Sequence, residues 1–204
     1  MSANHAAFNL IFRFVENYIS PIAGRISSQR HVMAIRDGFI SAMPFMIVGS
    51  FLLVFAYPPF SPDTTWGFAR AWLDLAKEFE GRILTPFDMT MGIMSIYICA
   101  AISYNLGKHY EKSNQLDPFM CAMLSIMAFL LIAAPKTNGT LPVDSLGGAG
   151  IFTAILVAIY CVEMMRFLKA HNIGIRLPDQ VPPMIKNSFD LLIPVLVVVL
   201  TLYP

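Results

Sequence analysis

This sequence is short of charge: Asp, Glu, Lys and Arg make up 13% of it, against about 25% in ordinary soluble domains. Beside a 56% share of hydrophobic residues, that scarcity excludes a water-soluble globule. An excess of one sign is missing as well. The formal net charge is +1 and no long block of like charge occurs, which excludes the basic footprint of nucleic-acid binding. Cysteine is scarce, and Cys99, Cys121 and Cys161 each fall inside an apolar run without short repeat spacing. Neither a disulfide framework nor a zinc site is indicated, and the three read as small buried side chains. Chemical motifs are lacking too, with no HExxH, GxSxG elbow, Walker loop or GxGxxG. His5, His31, His109 and His171 are scattered over the terminus and the connectors with no pair at ligand spacing. The expectation is a chain that is not an enzyme and takes no metal or cofactor. No cleavable signal is expected either, because Arg13 and Glu16 break the first apolar run and polar residues follow it.

What is present is a series of apolar runs with the charges clustered between them. A hydrocarbon core of about 30 Å needs about 20 residues of helix. The runs predict an all-α integral membrane protein of about five transmembrane helices, at residues 31–57, 89–106, 118–134, 149–167 and 188–204, with two interfacial amphipathic helices. The first interfacial helix lies within residues 1–30, where Phe8, Phe12, Val15 and Ile19 share a face and Arg13, Glu16, Asn17 and Ser20 take the others. A partner-binding amphipathic helix is the alternative there. The second, residues 66–84, carries Trp66, Ala69, Leu73, Ala76 and Phe79 at helical spacing against Arg70, Asp74, Lys77 and Glu78. The last apolar run, from Leu191 to Pro204, has 14 residues and reaches only about 21 Å, so the chain reads as cut at its last span.

Basic residues are retained on the cytoplasmic side of a membrane. With the N-terminus inside, Arg13, Arg25, Arg30, Arg36, Lys108, Lys112, Arg166, Lys169, Arg176 and Lys186 are cytoplasmic, while only Arg70, Lys77, Arg82 and Lys136 are outside. That bias predicts a multi-pass protein of the cytoplasmic membrane with its N-terminus in the cytoplasm.

Within lipid, helices associate through close backbone approach, and small residues every fourth position mark the contact. Three such stripes occur: Ala34, Gly38 and Ala42; Cys99, Ser103 and Gly107; and Gly150, Ala154 and Ala158. Pro44 and Pro194 lie inside spans, where each removes a helix hydrogen bond and predicts a kink. Ionisable groups in a membrane are costly, and Arg36, Asp37, Glu163 and Asp190 are all placed at cytoplasmic ends. Glu163 stands one turn from Arg166, a spacing that predicts an interfacial ion pair.

Four stretches resemble the IIC component of the lactose, cellobiose and diacetylchitobiose class of bacterial phosphotransferase systems. They are HVMAIRDGFISAMPFMIVGS from His31, MTMGIMSIYICAAISYNLGKHY from Met89, SLGGAGIFTAILVAIYCVEM from Ser145 and, most specifically, LPDQVPPMIKNSFDLLIP from Leu177. The resemblance implies a homodimeric permease of the inner membrane that takes up a disaccharide. The sugar is then phosphorylated inside by a partner IIB component, charged through IIA. It also implies that residues 31–204 are the scaffold and dimerisation half. The family's substrate-contacting histidine and glutamate lie in motifs with no counterpart here, so the sugar site is expected beyond Pro204 and no binding residue is carried over. The expected function is the scaffold half of a disaccharide permease, not transport-competent alone. The alternatives are a non-transporting membrane interaction protein derived from a truncated permease and, third, a membrane-embedded enzyme.

Overall fold

The computed structural model describes residues 20–135, 142–174 and 189–203, with residues 16, 182 and 185. The regular elements among them are all helical: α1 is Ser20–Ser27, α2 Arg30–Ala56, α3 Gly67–Phe87, α4 Met94–Asn114, α5 Pro118–Ala133, α6 Ile151–Ala170 and α7 Leu192–Leu202. A π-helical segment, Asp88–Gly92, joins α3 to α4, and a 3-10 turn, Gly148–Gly150, leads into α6. Phe8, Phe12, Val15 and Ile19 lie outside the described residues, as does most of the stretch from Leu177 to Phe189.

Local chemistry sets several of these boundaries. Asp117 caps α5, accepting hydrogen bonds from the backbone N–H of Phe119 at 2.9 Å and Met120 at 3.3 Å, and Pro118 takes the first helical position, where its missing N–H costs nothing. α4 ends at Gln115, which adopts the left-handed conformation at φ 53°. α6 closes with Asn172 at φ 54°. There the N–H of Ile173 bonds to the carbonyl of Leu168 and that of Asn172 to Lys169, the paired bonds of a Schellman stop with Asn in the position usually held by Gly.

α4 is the hub. It packs against α2, α5 and α6, while α3 lies along α2, and α7 leans on α5 and α6. Ile98, Ile102, Leu106, Leu124, Phe129, Val162 and Met165 are buried in the core so formed. Large apolar side chains point outward: Phe51 is 63% exposed, Phe152 72%, Leu196 61% and Leu200 65%. Contiguous apolar surface of that kind is untenable in water and ordinary in lipid. The runs Arg30–Ala56, Gly67–Asn114 and Gly148–Ala170 are long and apolar enough to cross a membrane; Pro118–Ala133 and Leu192–Leu202 are apolar but shorter.

The structure departs from the sequence expectation in one place. The surface helix and the second span, expected as separate elements, form one helical run of 48 residues. Pro86 removes a single backbone donor inside α3, and the π segment after it absorbs the mismatch. The proline leaves the carbonyl of Arg82, four residues earlier, without its helical donor, and beyond it the Thr90 hydroxyl bonds back to the carbonyls of Pro86 at 2.9 Å and Phe87 at 3.0 Å. Pro194, expected to kink its span, stands in the first turn of α7, after a one-residue turn at Leu191 that follows helical Phe189 and Asp190. Leu191 keeps right-handed helical angles, φ −78° and ψ −20°, and the interruption falls where the proline's missing N–H leaves the Asp190 carbonyl without its helical donor. Pro44 does lie inside α2.

Candidate functional site: a polar clamp across three helices

The start of α2 and the ends of α4 and α6 meet at one end of the bundle, and their polar side chains converge on Glu163. Its Oε2 accepts from Arg166 Nη1 at 2.6 Å, three residues along the same helix. Its Oε1 accepts from the Tyr110 hydroxyl of α4 at 2.7 Å and faces His31 Nε2 of α2 at 2.9 Å. Because the partner is a carboxylate, Nε2 is the nitrogen that carries the proton. Tyr110 is 1% exposed, and its hydroxyl also accepts from Arg166 at 3.1 Å. The guanidinium groups of Arg166 and Arg30 lie 4.7 and 5.4 Å from the centroid of its ring, within cation–π range. Charge that would be costly next to hydrocarbon is thus paired and hydrogen-bonded across helices, while the side chains of His31, Glu163 and Arg166 stay partly exposed.

Further out at the same end, Lys169 donates to the Gln115 carbonyl at 2.7 Å and pairs with Asp190 at 3.5 Å. One lysine therefore ties the α4–α5 turn to α6 and to the chain entering α7. Arg36 and Asp37 pair with one another at 2.8 Å on the exposed side of α2. Of the remaining histidines, His109 is exposed, and His171 directs Nδ1 to the Phe167 carbonyl at 2.9 Å. Among the described residues no three His, Cys, Asp or Glu side chains are grouped to hold a metal. The chemistry of the clamp is that of holding three helices in register.

The small-residue stripes line the contacts between helices. Ala34, Gly38 and Ala42 are buried against α4, and a Cβ on Gly38 would meet Ile102, whose backbone N lies 2.9 Å away. Cys99, Ser103 and Gly107 are buried on α4, and a Cβ on Gly107 would come within 3.1 Å of Pro118 Cα and Cys121 Sγ. Gly150 sits in the 3-10 turn before α6, where a Cβ would strike the Ser145 carbonyl, and Ala154 and Ala158 are buried on α6. All three stripes are closed inside the chain. Sequence reasoning missed the extension of the first one to Gly49 and Ala56, both buried. The repeat of seven from Ala42 through Gly49 to Ala56 carried that signal. Cys99, Cys121 and Cys161 are free and buried in the core.

The family model "Phosphotransferase system, EIIC" matches residues 36–204. Among curated proteins, the chain is 35% identical over 206 residues to the PTS system cellobiose-specific EIIC component of Geobacillus stearothermophilus, covering 92% of this chain and 43% of that protein. It is 31% identical over 203 residues to the lichenan permease IIC component of Bacillus subtilis (strain 168), covering 91% and 42%. It is 33% identical over 189 residues to the PTS system lactose-specific EIICB component of Streptococcus mutans, covering 90% and 32%. Among solved structures, it superposes with TM-score 0.76 and 33% identity on the transporter ChbC, the IIC component from the N,N'-diacetylchitobiose-specific phosphotransferase system, covering 94% of this chain and 45% of that one. The chain spans less than half the length of these relatives.

Proposed function

Because the chain belongs to the phosphotransferase system EIIC family, we propose that it is the scaffold and dimerisation half of a permease for a cellobiose-, lactose- or chitobiose-like disaccharide. The observation that carries this reading is the match of nearly the whole chain to sugar permease components, by sequence and by backbone. The clamp and the closed stripes support the scaffold role, since they lock α2, α4 and α6 together and fill the space between them with apolar and small side chains. The sugar path is assigned to residues outside those described, and the chain's own contribution is non-catalytic. A cytoplasmic IIB component, charged through IIA, is the partner that phosphorylates the sugar; the lactose-specific relative carries the name EIICB. The clamp end faces the cytoplasm, because Arg30, Arg36, Lys108, Lys112, Arg166 and Lys169 gather there, against Arg70, Lys77 and Arg82 on α3. A homodimer of this half uses a face other than the three stripes, whose small residues are already buried within one copy.

Uptake of labelled cellobiose, lactose and diacetylchitobiose tests the reading in cells that supply IIA and IIB. Co-expression of these 204 residues with the remaining portion of a matching permease is expected to give uptake of one of the three sugars, and the 204 residues alone none. Uptake by the 204 residues alone, or none of any sugar when the remainder is supplied, contradicts it.

A further inference from the structure

Where α3 passes the end of α2, an apolar groove of about 580 Å³ opens between Phe55, Phe68, Trp72, Leu75, Phe79 and Ile83. Arg82 is the one charged residue in its lining and stands near the C-terminal end of the α3 residues that form it. The aromatic walls are fixed: the Trp72 indole donates to the Phe55 carbonyl at 3.2 Å and packs 5.7 Å from the Phe55 ring and 5.9 Å from Phe68. Arg82 is differently placed. It is exposed, its guanidinium lies 5.7 Å from the centroid of Phe79, and among the described residues no carboxylate is within ion-pair distance of it. At the same end of α2 the Tyr57 hydroxyl donates to Glu80 at 3.2 Å, so the groove lies where apolar surface gives way to polar. An occupant suited to it is apolar along most of its length and negative at one end.

We propose that this groove binds an anionic phospholipid, an acyl chain along the aromatic wall and the phosphate on Arg82. A zwitterionic lipid would bring its own cation to a site that already has one. The aromatic residues on α3 suit the level of the headgroups, where Trp is favoured for having an apolar body and a polar edge.

The test is native mass spectrometry of the full chain, purified in mild detergent and mixed with phosphatidylglycerol or phosphatidylcholine of matched acyl chains. The wild type is expected to retain phosphatidylglycerol over phosphatidylcholine by roughly fivefold, the weight of one basic side chain near an anionic headgroup. Arg82→Gln is expected to abolish the preference, Trp72→Ala to reduce retention of both lipids, and Lys77→Gln, which removes a charge from α3 outside the groove, to change neither. Equal retention of the two lipids by the wild type overturns the proposal, as does a preference that survives Arg82→Gln or falls equally with Lys77→Gln. Covalent dimers formed in the membrane through Leu75→Cys also overturn it, by showing the groove covered by a second copy.

Discussion

Gly38 and Gly81 are both helical glycines with opposite surroundings. A Cβ on Gly38 would run into Ile102, including its backbone N at 2.9 Å and Cα at 3.0 Å, whereas one on Gly81 would meet nothing within 4 Å. Backbone cannot step aside as a side-chain tip can, so Gly38→Ala is expected to destabilise the bundle by about 1–3 kcal/mol. Gly81→Ala is expected to stabilise it by about 0.5–1 kcal/mol through the entropy of the unfolded chain. Thermal unfolding in detergent should show the two midpoints moving in opposite directions. At the clamp, Tyr110→Phe keeps the buried ring and loses the hydroxyl's bonds to Glu163 and Arg166, an expected cost of about 0.5–1.5 kcal/mol. Glu163→Gln removes the shared acceptor charge and should cost about 1–3 kcal/mol. A double-mutant cycle between Glu163→Gln and His31→Gln should then show coupling, and additive effects would dissolve the clamp. The Glu163–Arg166 pair was legible because three residues make one helical turn. His31 and Tyr110 stand 132 and 53 residues from Glu163, and no periodicity reports a meeting across helices.

At the scale of the element, α5 is the helix whose start is most explicitly written. Asp117 bonds two of the backbone N–H groups that no helix can satisfy internally, and Asp117→Ala should lower stability by about 0.5–2 kcal/mol. The same detergent melts measure it, and an unchanged midpoint would mean that the cap is idle. Apolar runs announced the helices of the bundle, since burial in lipid demands only length and greasiness. Their ends were less legible. The α3–α4 junction looked like a break because Pro86 and Asp88 stand between the charged surface helix and the next apolar run. Yet one missing donor is a local loss, and the helical run continues past the proline through a π turn. At Pro194 the helix is interrupted at Leu191, beside the Asp190 carbonyl that the proline leaves without a donor, and hydropathy is blind to that turn because the apolar run extends on both sides.

For the whole molecule, the stripes of small residues announced close contacts without saying between what. The three pair helices of one chain, because α4 packs against α2, α5 and α6 and residues as small as Gly, Ala, Ser and Cys let backbones approach so near. Bulky residues fill the core, as Phe129 and Ile98 do, yet many more are on the outside: Ile47, Phe51, Phe152, Leu196 and Leu200 are each about half exposed or more. This outward-facing apolar surface asks for lipid as the surrounding solvent. It also accounts for the polar end, where Arg30, His31, Tyr110, Glu163 and Arg166 satisfy one another at the point where helices leave the hydrocarbon. Sedimentation combined with circular dichroism, on the chain exchanged from detergent into plain buffer, bears most directly on this. Aggregation, with a dispersed helical species recovered only on returning detergent or lipid, is the predicted result. A folded, helical monomer persisting in buffer without either would contradict the account.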